Sequence, residues 1–150
     1  MQVKELGHLV LYVADLERSA AFYGEILGWE SAVPTALGFP AAAFTSGRTH
    51  HELLLIEVGA DAAPIDRGRR LGLYHFGLKV GDSDEELREA YDRLVAAGVH
   101  IVGTSDHTVT HSVYILDPDG NEIELYIDVP GVDWRNDPGL ILAPIRPLTL

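Results

Sequence analysis

The stretch His8-Leu-Val-Leu-Tyr-Val13 decides the fold, because it returns 67 positions later as His75-Phe-Gly-Leu-Lys-Val80. Each copy is a strand-like run that opens with a histidine and is followed by an acidic turn and a helical pattern. The last strands of the two halves also match, since Leu53-Leu-Leu-Ile-Glu-Val58 is similar to Glu124-Leu-Tyr-Ile-Asp-Val129 at an offset of 71. The repeat predicts two similar halves related by a pseudo-twofold axis.

Local signals mark the helix that follows each histidine strand. Asp15 is an N-cap residue for the first helix, and Gly28 ends its apolar pattern. Ser83 and Glu86 have the spacing of a capping box at the start of the second helix, which Gly98 ends. Both halves therefore place a helix directly after their first strand.

Short β-rich runs follow each helix, at about residues 30–34, 41–45 and 51–58 in the first half and 99–104, 112–116 and 122–129 in the second. Each half is therefore predicted to have the order β-α-β-β-β, which makes the chain an α+β protein. We expect one domain over residues 1–150. Its first module covers about 5–60, its second about 72–130, and an extended tail over 131–150 packs on the body or on a partner subunit.

Composition narrows the classes of partner. The formal charge of −12 and the pI near 4.8 disfavour binding to nucleic acid or to an anionic membrane surface. The sequence has no cysteine, so imidazole and carboxylate groups would have to hold any metal. The apolar runs are too short to span a bilayer, and residues 1–5 do not resemble a signal segment. We therefore expect a cytoplasmic protein.

His8, His75 and Glu124 are candidate ligands of one divalent metal. A lone histidine at the start of an apolar strand is more often a hydrogen-bonded strand-end residue than a ligand. Two histidines at equivalent positions of a repeat would instead converge near the pseudo-twofold axis, where a last strand can bring Glu124 beside them. Two imidazoles and one carboxylate leave open coordination positions, an arrangement typical of non-haem Fe(II) oxygenases.

These motifs together resemble the vicinal-oxygen-chelate superfamily, which includes glyoxalase I, fosfomycin-resistance proteins, bleomycin-binding proteins and type I extradiol dioxygenases. The resemblance covers about residues 5–135. Its carriers are Gly7-His8-Leu-Val-Leu-Tyr-Val-Ala-Asp-Leu-Glu-Arg-Ser-Ala-Ala-Phe-Tyr-Gly-Glu-Ile-Leu-Gly28, the strand at His75, and Asp117-Pro-Asp-Gly-Asn-Glu-Ile-Glu124-Leu-Tyr126. The resemblance implies paired βαβββ modules that form an open, metal-binding half-barrel.

The number of ligands separates members of this superfamily. A glyoxalase-like enzyme is expected to have a fourth ligand, a carboxylate on the last strand of the first module. The repeat alignment puts Leu53 at that position, and strand alternation directs the neighbouring Glu52 to the other face. The sequence therefore predicts a site with three protein ligands.

Further residues resemble those of small catechol-2,3-dioxygenase-like proteins. The pair His50-His51 is similar to their His-His pair, which implies an acid-base role for His51, and we expect His51 to share a face with Leu53. Tyr114 stands ten residues before Glu124, as does the substrate-contacting tyrosine of those proteins. Of the loop histidines that would contact the substrate, the resemblance favours His107, with His111 as its competitor.

The resemblance implies extradiol cleavage of a catechol-type aromatic by O2 at a single divalent metal. Fe(II) is favoured, with Mn(II), Ni(II) or Zn(II) as other metals, and a homodimer is expected. The alternatives are a thiol transferase or glyoxalase-like enzyme of the same fold, or a non-catalytic antibiotic-binding resistance protein. Few of the 11 lysines and arginines lie near the motif strands, which disfavours a phosphonate substrate, and the complete triad disfavours a metal-free binder.

Overall fold

The computed structural model describes residues 1–33, 38–66 and 68–150 and forms two compact units, residues 1–65 and residues 66–150. Each unit contains a four-stranded sheet and one principal helix, in the chain order β-α-β-β-β. The predicted α+β class with two βαβββ modules is confirmed. The two sheets also have the same topology, which is the structural form of the sequence repeat.

In the first unit, β1 pairs in parallel with β4, and β3 and β2 continue the sheet in antiparallel fashion. Alternate residues of β1 and β4 form the core, because strand side chains alternate between the two faces. The predicted second strand is shorter than expected, and its predicted end at Pro34 lies outside the described residues. The four strands are β1 Leu9–Val13, β2 Glu30–Ser31, β3 Ala41–Thr45 and β4 Leu53–Glu57.

Helix α1, Leu16–Ala21, covers this core and continues as a π-helical segment, Phe22–Ile26. The Asp15 carboxylate accepts the backbone N–H of Arg18 at 2.9 Å, so the predicted N-cap is confirmed. Gly28 follows with a φ of 75°, a left-handed conformation that glycine adopts without strain. The predicted extent of the helix is therefore correct, although its second part is not α-helical.

The second unit repeats this arrangement with the sheet order β5-β8-β7-β6. Helix α2, Asp84–Ala96, packs against β5, β7 and β8. The Ser83 hydroxyl accepts the Glu86 N–H at 3.3 Å, which confirms the predicted cap, and the helix buries Leu87 and Leu94. None of the helices in the described part of the chain is long and apolar enough to cross a bilayer. The strands are β5 His75–Gly81, β6 Ile101–Asp106, β7 Thr110–Leu116 and β8 Glu122–Asp128.

The pairing of the strands shows which residues of the two units are equivalent more reliably than matching of their sequences does. β1 pairs Leu9 with Leu53, whereas β5 pairs Phe76 with Ile123. Leu9 and Phe76 are equivalent at the offset of 67, so Leu53 and Ile123 are equivalent to each other at an offset of 70. Both are fully buried in the cores of their units. The predicted offset of 71 for the last strands is therefore wrong by one residue.

The correction changes which residue stands at the position of Glu124. That residue is Leu54, and the prediction that placed Leu53 there is wrong, because Leu53 belongs to the buried core face. The neighbouring Glu52 carboxylate accepts hydrogen bonds from Ser46, including the backbone N–H at 2.7 Å. A leucine side chain cannot coordinate a metal, so the first module still lacks a carboxylate at this position. The three-ligand site remains a prediction.

The tail returns to the edge strand of the second unit. It forms a 3₁₀ helix, Pro138–Leu142, and then runs beside β6. Asp106 and Arg146 exchange two backbone hydrogen bonds of 2.9 Å, and the Thr104 hydroxyl donates to the Leu148 carbonyl at 2.7 Å. The tail therefore packs on the second unit along an otherwise unpaired strand edge.

Candidate active site

Strands β5 and β8 bring His75 and Glu124 together. Their Nε2 and Oε2 atoms are 3.3 Å apart. Nitrogen and oxygen ligands bind divalent metals at about 2.0–2.2 Å, so two adjacent ligands of one ion lie about 2.8–3.6 Å from each other, from octahedral to tetrahedral angles. The observed distance is therefore suited to two atoms that share a metal ion.

The second ring nitrogen of His75 supports the same interpretation. Nδ1 is buried and, among the described residues, has no hydrogen-bond partner, although Glu122 Oε1 lies 3.8 Å away. A metal-bound imidazole usually coordinates through one nitrogen and donates the other N–H to a carboxylate or carbonyl. The donor set fits a divalent cation, with Nε2 as the ligand atom and Glu122 facing Nδ1. Glu122 was not among the predicted site residues.

Two hydroxyl groups of β7 hold Glu124. Ser112 Oγ donates to Oε1 at 2.6 Å, and the Tyr114 hydroxyl donates to the same oxygen at 3.1 Å. These bonds fix Oε1 and leave Oε2 directed toward His75. Ser112 was also missed by the sequence analysis, although it stands two positions before Tyr114 and therefore shares its face of the strand.

We expect Ser112→Ala to weaken Fe(II) binding about tenfold, because residues that orient a ligand typically contribute 10- to 100-fold to metal affinity. Competition with a chromogenic chelator under argon measures the dissociation constant. Ser19→Ala is the matched control, since Ser19 is equally buried in the first unit. Equal affinities of the Ser112 variant and the wild type would contradict the positioning role.

Tyr114 also contacts His107, one of the two candidate loop histidines. The Tyr114 hydroxyl lies 2.8 Å from His107 Nε2, which is 4.0 Å from Glu124 Oε1. Burial, followed by the nearby Glu124 charge, raises the pKa of Tyr114. Its hydroxyl therefore stays protonated and can donate a hydrogen bond. The structure brings His75, Glu124, Tyr114 and His107 into one constellation within the second unit.

His111 lies in a different environment from His107. Its Nδ1 is 2.6 Å from Asp84 Oδ1 at the start of α2, and its Nε2 is 3.7 Å from Asp106 Oδ1. His111 lies on β7, whereas His107 lies in the turn between β6 and β7. Thr108 has a φ of 71° there, and its N–H donates to the Asp106 carboxylate at 2.6 Å. Of the two competitors, only His107 joins the constellation around Glu124.

A cavity of about 360 Å³ opens beside this constellation. Its volume lies within the range typical of small-molecule sites. Val102 of β6 and Ile145 of the tail supply its large apolar side chains. Its ionisable side chains are those of Tyr74, His75, His107, Tyr114 and Glu122.

In the first unit, His51 lies beside the predicted ligand His8, with ring centroids 4.8 Å apart. Its Nδ1 is 2.6 Å from His50 Nδ1, a contact that requires at least one ring to be neutral. Burial, then the positive charges that His50 and His8 carry when protonated, lower the pKa of His51. His51 precedes β4, which begins at Leu53, so strand alternation does not decide which face it shares, and the predicted common face with Leu53 stays a prediction.

The complete triad remains a prediction. His8 belongs to the first unit, whereas His75 and Glu124 belong to the second. Across residues 1–33, 38–66 and 68–150, no group of three or more histidine, cysteine, aspartate or glutamate side chains has the geometry of a metal site. The structure therefore establishes the His75–Glu124 pair and the His8–His51 pair, each within its own unit.

The chain repeats a βαβββ module that has a histidine at its first strand. In one copy this histidine is paired with a glutamate on the last strand. These features define a class of paired-module proteins. Residues 5–125 match the model of the Glyoxalase/Bleomycin resistance protein/Dioxygenase superfamily. The chain belongs to this superfamily, as its motifs predicted. The superfamily includes enzymes that bind a divalent metal ion.

Its relatives have different activities. The chain is 34% identical over 132 residues to a catechol-2,3-dioxygenase of Bacillus subtilis, covering 88% of this chain and 44% of that protein. It is 30% identical over 128 residues to the metallothiol transferase FosB of Lysinibacillus sphaericus, covering 84% of each. Among solved structures, a lactoylglutathione lyase from Agrobacterium tumefaciens superimposes with a TM-score of 0.62 at 30% identity, covering 84% of this chain and 95% of that one. The chain spans less than two thirds of the length of the ring-cleaving dioxygenases that it matches.

Proposed function

We propose that this protein is a metal-dependent extradiol dioxygenase that opens a catechol-type ring with O2. The observation that carries the proposal is the constellation beside the cavity of the second unit. It joins the paired His75 and Glu124 to a tyrosine and a histidine that contact each other. A metal-ligand pair next to a neutral hydroxyl donor is suited to a substrate with two vicinal oxygens. The similarity to a catechol-2,3-dioxygenase supports the same assignment.

His75 and Glu124 would hold the metal together with His8, through Nε2 of His75 and Oε2 of Glu124. We propose Fe(II) as that metal, because two imidazoles and one carboxylate with open positions suit it. When bound, Fe(II) supplies a Lewis acid for the two catechol oxygens and a path for electrons to O2. Ser112 keeps the Glu124 carboxylate in the orientation that this requires, and Tyr114 supports it until substrate binds.

The other residues position the substrate and move its proton. When substrate binds, Tyr114 redirects its single hydroxyl proton from Glu124 Oε1 to a substrate oxygen, while His107 Nε2 holds the Tyr114 oxygen in place. His51 accepts a proton from one catechol hydroxyl and returns it as the ring opens. Both atoms of O2 enter the product and no net proton is consumed, so one acid-base group is sufficient. Val102 and Ile145 supply the apolar wall of the cavity against which the ring lies.

The cavity disfavours thiol transfer to a phosphonate. Such a substrate is dianionic and needs cationic side chains around it. None of the described residues that line the cavity is lysine or arginine, whereas Glu122 is among them. A neutral catechol is therefore the better match for this cavity. Leu54 disfavours a glyoxalase-like site for a different reason, because it supplies no fourth ligand.

An oxygen electrode tests the proposal directly. We expect protein reconstituted anaerobically with one equivalent of Fe(II) to consume one O2 per catechol and to form a yellow ring-opened product. The panel contains catechol, 4-methylcatechol and 3-phenylcatechol, and metal-free protein is the blank. Stoichiometric iron without oxygen uptake on any of the three would contradict the proposal. Turnover of fosfomycin with a thiol, or of a methylglyoxal–thiol adduct, would instead support a rival.

A further inference from the structure

The C-terminal strap, defined as residues 143–150, contributes to the wall of the cavity. Ile145 lines the same cavity as His75, His107 and Tyr114. The residue is 65% exposed, and a single exposed isoleucine usually has no special meaning. Here, however, it is one of only two large aliphatic side chains among the described cavity residues, and Val102 is the other. The strap therefore supplies much of the apolar surface that a ligand in this cavity would meet.

Several bonds hold the strap at the residues that follow Ile145. The Asp106 and Arg146 backbones exchange two hydrogen bonds of 2.9 Å. The Arg146 guanidinium also contacts the Asp106 carboxylate at 3.1 Å and the Thr108 hydroxyl at 3.2 Å. A bond of 2.7 Å from Thr104 to the Leu148 carbonyl extends this attachment. The same turn carries His107, so strap and turn form one connected wall.

The sequence of the strap also restricts its conformation. Pro144 and Pro147 enclose the pair Ile145-Arg146, and each proline fixes its own φ. A residue before proline favours extended backbone, and Ala143, with a ψ of 148°, has this conformation. Both effects reduce the freedom that the segment would otherwise lose on ordering. The position of Ile145 in the cavity wall is therefore set by the strap and not by the ligand.

We propose that Ile145 determines which ring substituent the cavity accepts. The inference rests on the proposed function: the two oxygens of the diol face the His75 end, and the apolar substituent lies against Ile145 and Val102. A shorter side chain at position 145 enlarges the space for the substituent, and a longer one reduces it. The strap is thus a specificity element of the site.

Binding measurements on reciprocal variants test this inference. We expect Ile145→Ala to shift the ratio of dissociation constants for catechol and 3-phenylcatechol about tenfold in favour of the larger diol, since methylene-sized changes in apolar pockets alter discrimination by roughly 10- to 200-fold. Ile145→Phe is expected to shift the ratio in the opposite direction. Calorimetry under argon on Zn(II)-loaded protein gives both constants without turnover. Leu142→Ala is the matched control, because Leu142 is 86% exposed and does not line the cavity.

The outcomes separate this inference from the proposed function. An unchanged ratio in both Ile145 variants, with ring cleavage intact in the wild type, would overturn the role of the strap alone. A shifted ratio without any ring cleavage would overturn the dioxygenase activity alone. Failure of the wild type to bind either diol would overturn both. A shift of equal size in Leu142→Ala would show that the effect does not depend on the cavity wall.

Discussion

Glu124→Ala is expected to lose its metal, with Fe(II) affinity at least about 100-fold weaker than that of the wild type. Removal of residues that only orient a ligand already weakens metal binding 10- to 100-fold, so removal of the ligand itself should exceed that range. The Glu124 carboxylate lies 3.3 Å from His75 Nε2. The other carboxylate described near His75 is that of Glu122, which faces Nδ1 at 3.8 Å and not Nε2. Metal analysis after desalting under argon measures the loss.

A second variant separates metal binding from folding. Alanine at position 124 leaves the buried Ser112 hydroxyl without its acceptor, which is expected to destabilise the metal-free protein by about 1–3 kcal/mol. Glu124→Gln can still accept that hydrogen bond but lacks the charge, so we expect near-normal melting with weak metal binding. Glu89→Ala on the exposed face of α2 is the control. Full metal occupancy in both Glu124 variants would remove this residue from the proposed site.

The elements of the fold were predictable because their signals are local. A capping box, a helix-ending glycine and a β-branched run each act within a few residues, and the order β-α-β-β-β follows from them. The register of β4 was not predictable in this way. Leu53-Leu54-Leu55 has no apolar-polar alternation, so the letters alone do not show which leucines are buried. Pairing with β1 decides it, and that pairing brings together residues far apart in the chain.

The same distinction between local sequence signals and long-range packing applies to the candidate site. The sequence repeat identified His75 and Glu124, and the resemblance identified Tyr114, because these residues occupy fixed positions within motifs. The contact of Glu122 with the Nδ1 side of His75 depends on the register of β5 against β8. The place of Ile145 depends on a tail that folds back over β6. Periodicity carries no information on either of these, because both depend on tertiary packing.

His51→Ala is expected to keep its metal but to slow ring cleavage by about 100-fold or more, the usual contribution of a positioned acid-base group. His51 lies beside His8, yet it is not one of the three proposed ligands, so metal content and rate should separate. Metal analysis and the initial rate of O2 uptake on the same preparation measure both. The opposite pattern, with metal and rate falling in proportion, would make His51 part of the metal site instead.

Rescue by a small molecule distinguishes proton transfer from a packing defect. Alanine at position 51 leaves space where the imidazole ring was, so added imidazole should restore part of the lost rate if this ring moves a proton. His100→Ala is the matched control, since His100 is exposed and lies outside the constellation, and its rate should equal that of the wild type with or without imidazole. An unchanged rate in His51→Ala would exclude this residue from the reaction. Slow cleavage without rescue at any imidazole concentration would assign His51 to the support of His8 and not to proton transfer.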